Sequence, residues 1–272
     1  MTIVSHTMRE RIAAQSVMEE LVRHQSSVPK RSGVARFFGV SPLGSDSEAW
    51  YQGTRGEIAV GAILAKLPPD WSVFHALPIG TKDSDIDHLV VGPGGVFTIN
   101  TKHHRGKAIW VAQRTFMVNG QKQPHIRNSE FEADRVTKLI RERMPLLKPA
   151  QPVIALVDPK QITFKVKPDR VKIIDARDLR RWLMKRPVLL DGVNLDQLVT
   201  LIDDPLTWRA LEPTRPEALM AKFNAIDRAV RNARARRRLW AALISLGMIA
   251  GLIISFPELV NLSMAVVTPL FG

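Results

Sequence analysis

Four polar side chains near the middle of the chain have the types that phosphodiester chemistry uses. Glu57 lies in the stretch GEIAVGAIL, Asp87 in DIDHLVVG, and Asn100 and Lys102 in VFTINTK. Carboxylate and amide oxygens are ligands for a hard cation such as Mg²⁺, and an ammonium group can balance the charge that develops on a phosphate. These four residues form a candidate catalytic site, with Glu57, Asp87 and Asn100 as its metal ligands.

Two strands joined by a tight turn are expected to position three of these residues. Residues 85–92 and 96–102 both read as strands, and the sequence PGG between them is typical of a hairpin. Because strand side chains alternate between faces, Asn100 and Lys102 share one face of their strand. The hairpin can therefore bring Asp87 and Lys102 together at one end of a sheet.

Glu57 is expected on the buried face of a helix. Val60, Ile63, Leu64 and Leu67 recur at helical spacing, and Glu57 precedes Val60 by three residues. A carboxylate on such a face is costly unless it is paired or binds a metal. A purely structural role stays open, in which Lys102 and Asp87 form a buried ion pair, Glu57 is a cap and Asn100 satisfies a strand end.

Further elements complete the predicted fold. Two more helices are predicted, one over 129–143 and one that begins after Asp175 as its N-cap, and Asn119-Gly120 marks another hairpin. This order predicts an α/β or α+β fold, a mixed sheet flanked by helices. The remaining predicted strands cover 71–77, 108–113, 153–157 and 171–174.

Basic residues follow the candidate lysine. Lys102, His104, Arg105 and Lys107 are predicted to bind nucleic-acid phosphates. Alternatively, His104 and its neighbour His103 are surface histidines that are hydrogen-bonded at the end of a strand. The sequence has no histidine spacing typical of a zinc site. The chain has no cysteine, which excludes disulfides and thiolate metal sites.

The C-terminal part of the sequence predicts contact with a membrane. The formal net charge is +13, and residues 228–238 contain six arginines and no acid. Residues 239–256 carry no charge and predict a transmembrane helix, with a buried core helix as the alternative. Arginines before the span indicate a single-pass protein of the cell membrane whose N-terminal domain is cytoplasmic.

Two features of this end stay open on sequence alone. Residues 257–272 form an apolar tail that either extends the span or lies on the membrane surface. Gly247 and Gly251 form a GxxxG motif, which permits a homodimer through close helix packing in lipid.

Three stretches together resemble the nuclease-related domain, NERD. They are GEIAVGAIL, WSVFH and DIDHLVVGPGGVFTINTKHHRG, and the resemblance is strongest over residues 53–165. NERD is similar to the PD-(D/E)xK, or restriction-endonuclease-like, superfamily. The resemblance implies a restriction-endonuclease-like fold and a phosphodiesterase site that uses Mg²⁺, or Mn²⁺, on DNA or RNA.

Carried over residue by residue, the resemblance places the family's helix glutamate at Glu57, its strand aspartate at Asp87 and its lysine at Lys102. Asn100 stands where the family has an acid. One hypothesis is therefore a membrane-anchored nuclease. The alternative is a nuclease fold that has lost catalysis and binds nucleic acid or a protein at the membrane, in which Asn100→Glu would restore cleavage.

The predicted organisation has five parts. They are an N-terminal helical and loop extension over 1–46, the nuclease-like domain over 47–212, a basic juxtamembrane segment over 213–238, the transmembrane helix over 239–256 and the tail over 257–272.

Overall fold

The computed structural model describes residues 7–79, 85–209 and 215–267, with side chains up to residue 252. The chain divides into two compact units. The larger contains residues 1–26 and 45–221, and the smaller contains residues 27–44 and 222–272.

The larger unit has runs of consecutive strands between its helices. The strands are β1 (Ser72–Pro78), β2 (Asp85–Gly92), β3 (Gly95–His103), β4 (Ala108–Ala112), β5 (Thr115–Val118), β6 (Gln121–Gln123), β7 (Gln151–Val157), β8 (Gln161–Val166) and β9 (Lys172–Asp175). The helices of the chain are α1 (Gln15–Ser26), α2 (Gly33–Phe37), α3 (Ser45–Leu64), α4 (His125–Arg141), α5 (Ala176–Met184), α6 (Gly192–Asp203) and α7 (Pro216–Val267).

The main sheet has five strands in the order β1-β2-β3-β7-β9. The pairs β1–β2 and β2–β3 are antiparallel, and β3–β7 and β7–β9 are parallel. The prediction of a mixed sheet flanked by helices is confirmed. Asp175 also caps α5 as predicted, because its side chain accepts a hydrogen bond from the Arg177 backbone nitrogen.

A second sheet has four strands in the order β6-β5-β4-β8. The predicted turn at Asn119-Gly120 joins β5 and β6, which pair through Val118 and Gln121. The sequence prediction omits β8, although its apolar residues alternate with polar ones along QITFKV. The inner face of this sheet is buried with β7 and β9 in one apolar cluster, which contains Ile109, Val111, Phe116 and Val118.

Helices cover the two faces of the main sheet at β3. Phe97 and Ile99 pack in one cluster with α3 and α5, whereas Val96 packs in another with α4 and α6. Helix α3 lies very close to the sheet at Gly56, where an added Cβ would be 2.9 Å from the Cβ of His103. This close approach fixes the position of the next residue, Glu57.

The smaller unit packs a short segment on the arginine-rich part of α7. Gly39 has φ +75°, and an added Cβ there would lie 2.5 Å from the Ala233 carbonyl oxygen. The indole nitrogen of Trp240 donates to the Phe37 carbonyl oxygen at 3.0 Å, and its ring lies 5.2 Å from that of Phe38. Trp240 is thus held against this segment on one side.

The predicted transmembrane helix over 239–256 is not supported. Among the described residues, no helix is long and apolar enough to cross a membrane. The last residues of the predicted span and the tail over 257–272 lie outside the part with described side chains, and dimerisation through Gly247 and Gly251 stays a prediction.

Candidate active site

Asp87 lies where β2 and β3 separate. The last paired residues before it are His88 and Ile99, and one carboxylate oxygen of Asp87 accepts a hydrogen bond from the Thr101 backbone nitrogen at 2.6 Å. Burial raises the pKa of Asp87 to about 6, and the positive charge of Lys102 opposes that rise. The hairpin therefore brings Asp87 and Lys102 together at the end of the sheet, as the strand pattern indicates.

Asn100 faces a carboxylate that the sequence analysis missed. Its side-chain nitrogen donates to both carboxylate oxygens of Glu132, at 2.8 and 3.0 Å. Glu132 lies on α4, which covers the Asn100 side of β3. Burial raises the pKa of Glu132 to about 7, and the nearby Asp87 adds to the rise.

A signal for Glu132 was present in the sequence. It lies within the predicted helix over 129–143, three residues after buried Ser129 and four before buried Val136. This is the argument that selected Glu57, a carboxylate at helical spacing with buried residues. Glu132 was missed because it lies far along the chain from the motif that resembles a nuclease.

Glu57 reaches the site from the other side of the sheet. It is only 5% exposed, and burial raises its pKa well above the ordinary value, with Asp87 and Asp85 adding to the rise. Lys102 has the opposite effect on Glu57. Glu57, Asp87 and Lys102 thus share one electrostatic environment, while the amide of Asn100 is engaged by Glu132.

The side-chain oxygen atoms of the site are of the kind that a hard cation binds. Glu57 Oε2 and Asn100 Oδ1 are buried and have no hydrogen-bond partner within the described part of the chain. Burial is the largest cause of the raised pKa values of Glu57, Asp87 and Glu132, so a bound cation would favour their ionised forms. In chemical type these oxygens fit Mg²⁺. Among the described residues, however, no group of three His, Asp or Glu side chains is arranged to hold a metal.

The two histidines after Lys102 have different surroundings. The Nδ1 atom of His103 lies 2.9 Å from the Gln52 carbonyl oxygen, so it donates a hydrogen bond at a strand end. The ring of His104 stacks on that of His125 at 5.6 Å. Burial lowers the pKa of His104 to about 4 and that of His125 to about 3, so both rings are neutral at pH 7. His104 can therefore contact a phosphate only as a neutral hydrogen-bond donor.

Two of the predicted phosphate-binding residues lie on the surface beside this site. Arg105 and Lys107 are exposed in the loop that joins β3 to β4. A carboxylate cluster with cations at its rim is an arrangement that can bind a metal ion and a phosphate together.

One of three comparisons with known proteins gives a match. Residues 52–157 match the family model described as the nuclease-related domain, NERD. The chain carries a nuclease-related domain. That domain contains all five polar residues of the candidate site, and it is consistent with the restriction-endonuclease-like superfamily. No curated protein and no solved structure matches the chain.

Proposed function

We propose that the nuclease-related domain hydrolyses phosphodiester bonds of nucleic acid, with Mg²⁺ or Mn²⁺ as its metal. The observation that carries this proposal is the pair of hydrogen bonds from Asn100 to Glu132. Asn100 lacks the family's negative charge, and Glu132 places a carboxylate directly against it. The domain therefore keeps the number of acidic groups that its family uses, with one of them on a different element.

The residues have distinct roles in this proposal. Glu57, Asp87, Asn100 and Glu132 would hold the metal after side-chain movements that bring their oxygens together, and the bound metal would activate water and stabilise negative charge on the phosphate. Lys102 adds positive charge where the phosphate develops extra negative charge. Arg105 and Lys107 attract the phosphate backbone toward the site.

Metal removal and one lysine variant test this function. Full-length protein is incubated with labelled single- and double-stranded DNA and RNA in Mg²⁺, Mn²⁺ or EDTA. We expect cleavage with metal, no cleavage in EDTA, and loss of cleavage in Lys102→Met. Lys66→Met, which removes an exposed lysine just after the end of α3 that has no role in the proposed site, serves as the matched control and should cleave normally.

The other outcomes are equally informative. Equal cleavage by the wild type and Lys102→Met would point to a contaminating nuclease. Binding without cleavage in every metal would favour the alternative function, a nuclease fold that binds nucleic acid and no longer cuts it.

We also propose that the apolar stretch over 239–256 attaches the protein to the cell membrane, with the nuclease-related domain on the cytoplasmic side. Large apolar side chains are exposed along α7 there, among them Leu243, Leu246 and Leu252. The arginines of residues 228–238 precede them and suit anionic lipid headgroups.

Flotation of the full-length protein with lipid vesicles tests the attachment. We expect flotation that survives high salt, since apolar insertion is not screened, and its loss when Leu243 and Leu246 are changed to glutamate. A protein that stays at the bottom of the gradient, or floats only at low salt, would contradict insertion of this stretch.

A further inference from the structure

The outer face of the second sheet has a row of residues that crosses all four strands. Trp110 on β4 pairs with Thr163 on β8 and with Met117 on β5, and Met117 pairs with Lys122 on β6. On β4 and β5 the alternate residues, Ile109, Val111, Phe116 and Val118, are buried on the inner face. The row therefore lies on the side of the sheet that faces away from the core.

The neighbours of Trp110 leave room for a ligand over its ring. Along β4 the adjacent residues on the same face are Ala108 and Ala112, which are too small to cover an indole. Trp110 is half-buried. Lys122 at one edge of the sheet and Lys165 at the other are exposed, and Lys165 lies at a bulge of β8, between Phe164, which pairs with Val111, and Val166, which pairs with Ala112. An aromatic ring with cations on both sides is the combination that binds single-stranded nucleic acid.

This face is continuous with the proposed phosphodiesterase site. The loop from Lys102 leads directly into β4, and within it the Lys107 carbonyl oxygen accepts a hydrogen bond from the Lys160 backbone nitrogen at 2.9 Å. Both lysines are exposed, and this hydrogen bond joins their backbones at the start of β4 and β8. One acid, Asp158, is also exposed in this region, where its backbone oxygen accepts from Gly106.

We propose that this face binds a single-stranded stretch of the nucleic-acid substrate, with a base stacked on Trp110 and phosphates held by Lys122, Lys165, Lys107 and Lys160. The inference rests on the proposed function and names its substrate class. A duplex keeps its bases stacked on each other and cannot present one to the indole, so single strands are preferred. Stacking needs no particular base, so the face does not select sequence.

Binding by full-length protein in EDTA tests the proposal, using labelled oligonucleotides of DNA and RNA, each single-stranded and as a duplex. Trp110→Ala should weaken single-strand binding roughly ten-fold or more, because stacking on an aromatic ring is worth about 1–3 kcal/mol per base. Duplex binding should change less. Trp110→Phe keeps an aromatic ring and should retain most of the affinity.

The lysines are tested by the salt dependence of binding. Lys122→Gln and Lys165→Gln should each reduce the slope of log affinity against log salt by roughly 0.7, the value for one phosphate contact on a single strand. Lys66→Gln, an equal loss of charge elsewhere, should leave the slope unchanged. If circular dichroism shows that Trp110→Ala does not fold, the salt slopes of Lys122→Gln and Lys165→Gln test the proposal instead.

Three results would overturn the proposal. They are equal loss of single-strand and duplex binding in Trp110→Ala, a salt slope that the two lysine variants do not change, and loss of binding to anionic vesicles instead of oligonucleotides in those variants. Because EDTA prevents metal-dependent cleavage, this binding can fail while cleavage stands, or stand while cleavage fails. The two proposals are thus separable.

Discussion

Replacing Glu132 with glutamine is expected to lower metal-dependent cleavage about 100-fold, the size of effect seen when one preorganised electrostatic group is removed from an active site. The same change should make the folded protein more stable at pH 8. Glutamine can still accept the hydrogen bond from Asn100 but carries no charge beside Asp87. Activity and stability should therefore move in opposite directions.

The sign of the stability change follows from the pKa of Glu132, which is about 7 in the folded protein and 4.5 ordinarily. Between these values the folded protein keeps a proton that the unfolded chain releases, so this group lowers stability as pH rises from about 4.5 to 7. Glu132→Gln removes that contribution. Urea unfolding should show the variant more stable by about 3 kcal/mol at pH 8 and about equal to the wild type at pH 4.

A charge exchange separates the role of the carboxylate from its location. Asn100→Asp alone places a second carboxylate against Glu132, and we expect lower stability at pH 8 from the repulsion. Asn100→Asp combined with Glu132→Gln again pairs one carboxylate with one amide, and it should recover stability and part of the cleavage. The sequence-based expectation that an acid at position 100 restores activity by itself is thus replaced by one that requires the exchange.

Two results would contradict this account of Glu132. One is full cleavage by Glu132→Gln, which would make Glu132 a structural partner of Asn100. The other is a stability difference that stays the same at pH 4 and pH 8.

The second large effect concerns a buried pair of histidines on neighbouring strands. His75 on β1 is opposite His88 on β2, and their Nδ1 atoms lie 2.8 Å apart. One ring must donate and the other accept, so the pair binds as two neutral rings. Burial lowers the pKa of His75 to about 4, and burial together with His75 lowers the pKa of His88 well below its ordinary value.

These histidines should make the protein sensitive to acid. The unfolded chain takes up protons near pH 6.5 and the folded pair does not, so their contribution is complete above pH 6.5 and is lost as pH falls toward 4. The shift of His75 from 6.5 to about 4 alone corresponds to about 3 kcal/mol. Between pH 7 and pH 4 the free energy of unfolding of the wild type should therefore fall by at least that much more than the free energy of unfolding of the double variant His75→Leu/His88→Leu.

Two further variants control this prediction. His88→Leu alone leaves the buried Nδ1 of His75 without its hydrogen-bond partner. The free energy of unfolding at pH 7 should therefore fall by about 1–3 kcal/mol. His24→Leu, at a half-buried helical position outside the pair, should leave the acid sensitivity in place. An acid response in the double variant as steep as in the wild type would show that other groups cause it.

Much of the fold could be predicted from local patterns. The hairpin of β2 and β3, the helical spacing after Glu57 and the Asn119-Gly120 turn all depend on residues that are near each other in sequence. The pairing of His75 with His88 could not be predicted, because it depends on the register of two strands joined by a connection of no fixed type. Strand β8 was missed although its alternation is regular, since it lies on an edge and most of its residues are exposed.

One part of the candidate site could be predicted because its residues are near each other in sequence. Asp87 and Lys102 lie on one hairpin, and local alternation places them at the same end. The contact between Asn100 and Glu132 joins residues 32 positions apart and depends on how α4 lies across the sheet. Sequence alone could place Glu132 on a buried helical stripe but could not show which strand residue it meets.

The parallel pairing of β3 with β7 has a consequence for the way this protein is made. β3 holds the buried residues Phe97 and Ile99, and its partner β7 begins only at Gln151. On the ribosome, one edge of β3 therefore stays unpaired until β4, β5, β6, α4 and β7 have all been synthesised. An unpaired strand edge with apolar side chains can form hydrogen bonds with strands of other chains. The nascent chain is thus most prone to aggregate during this interval, when its sheet is half built.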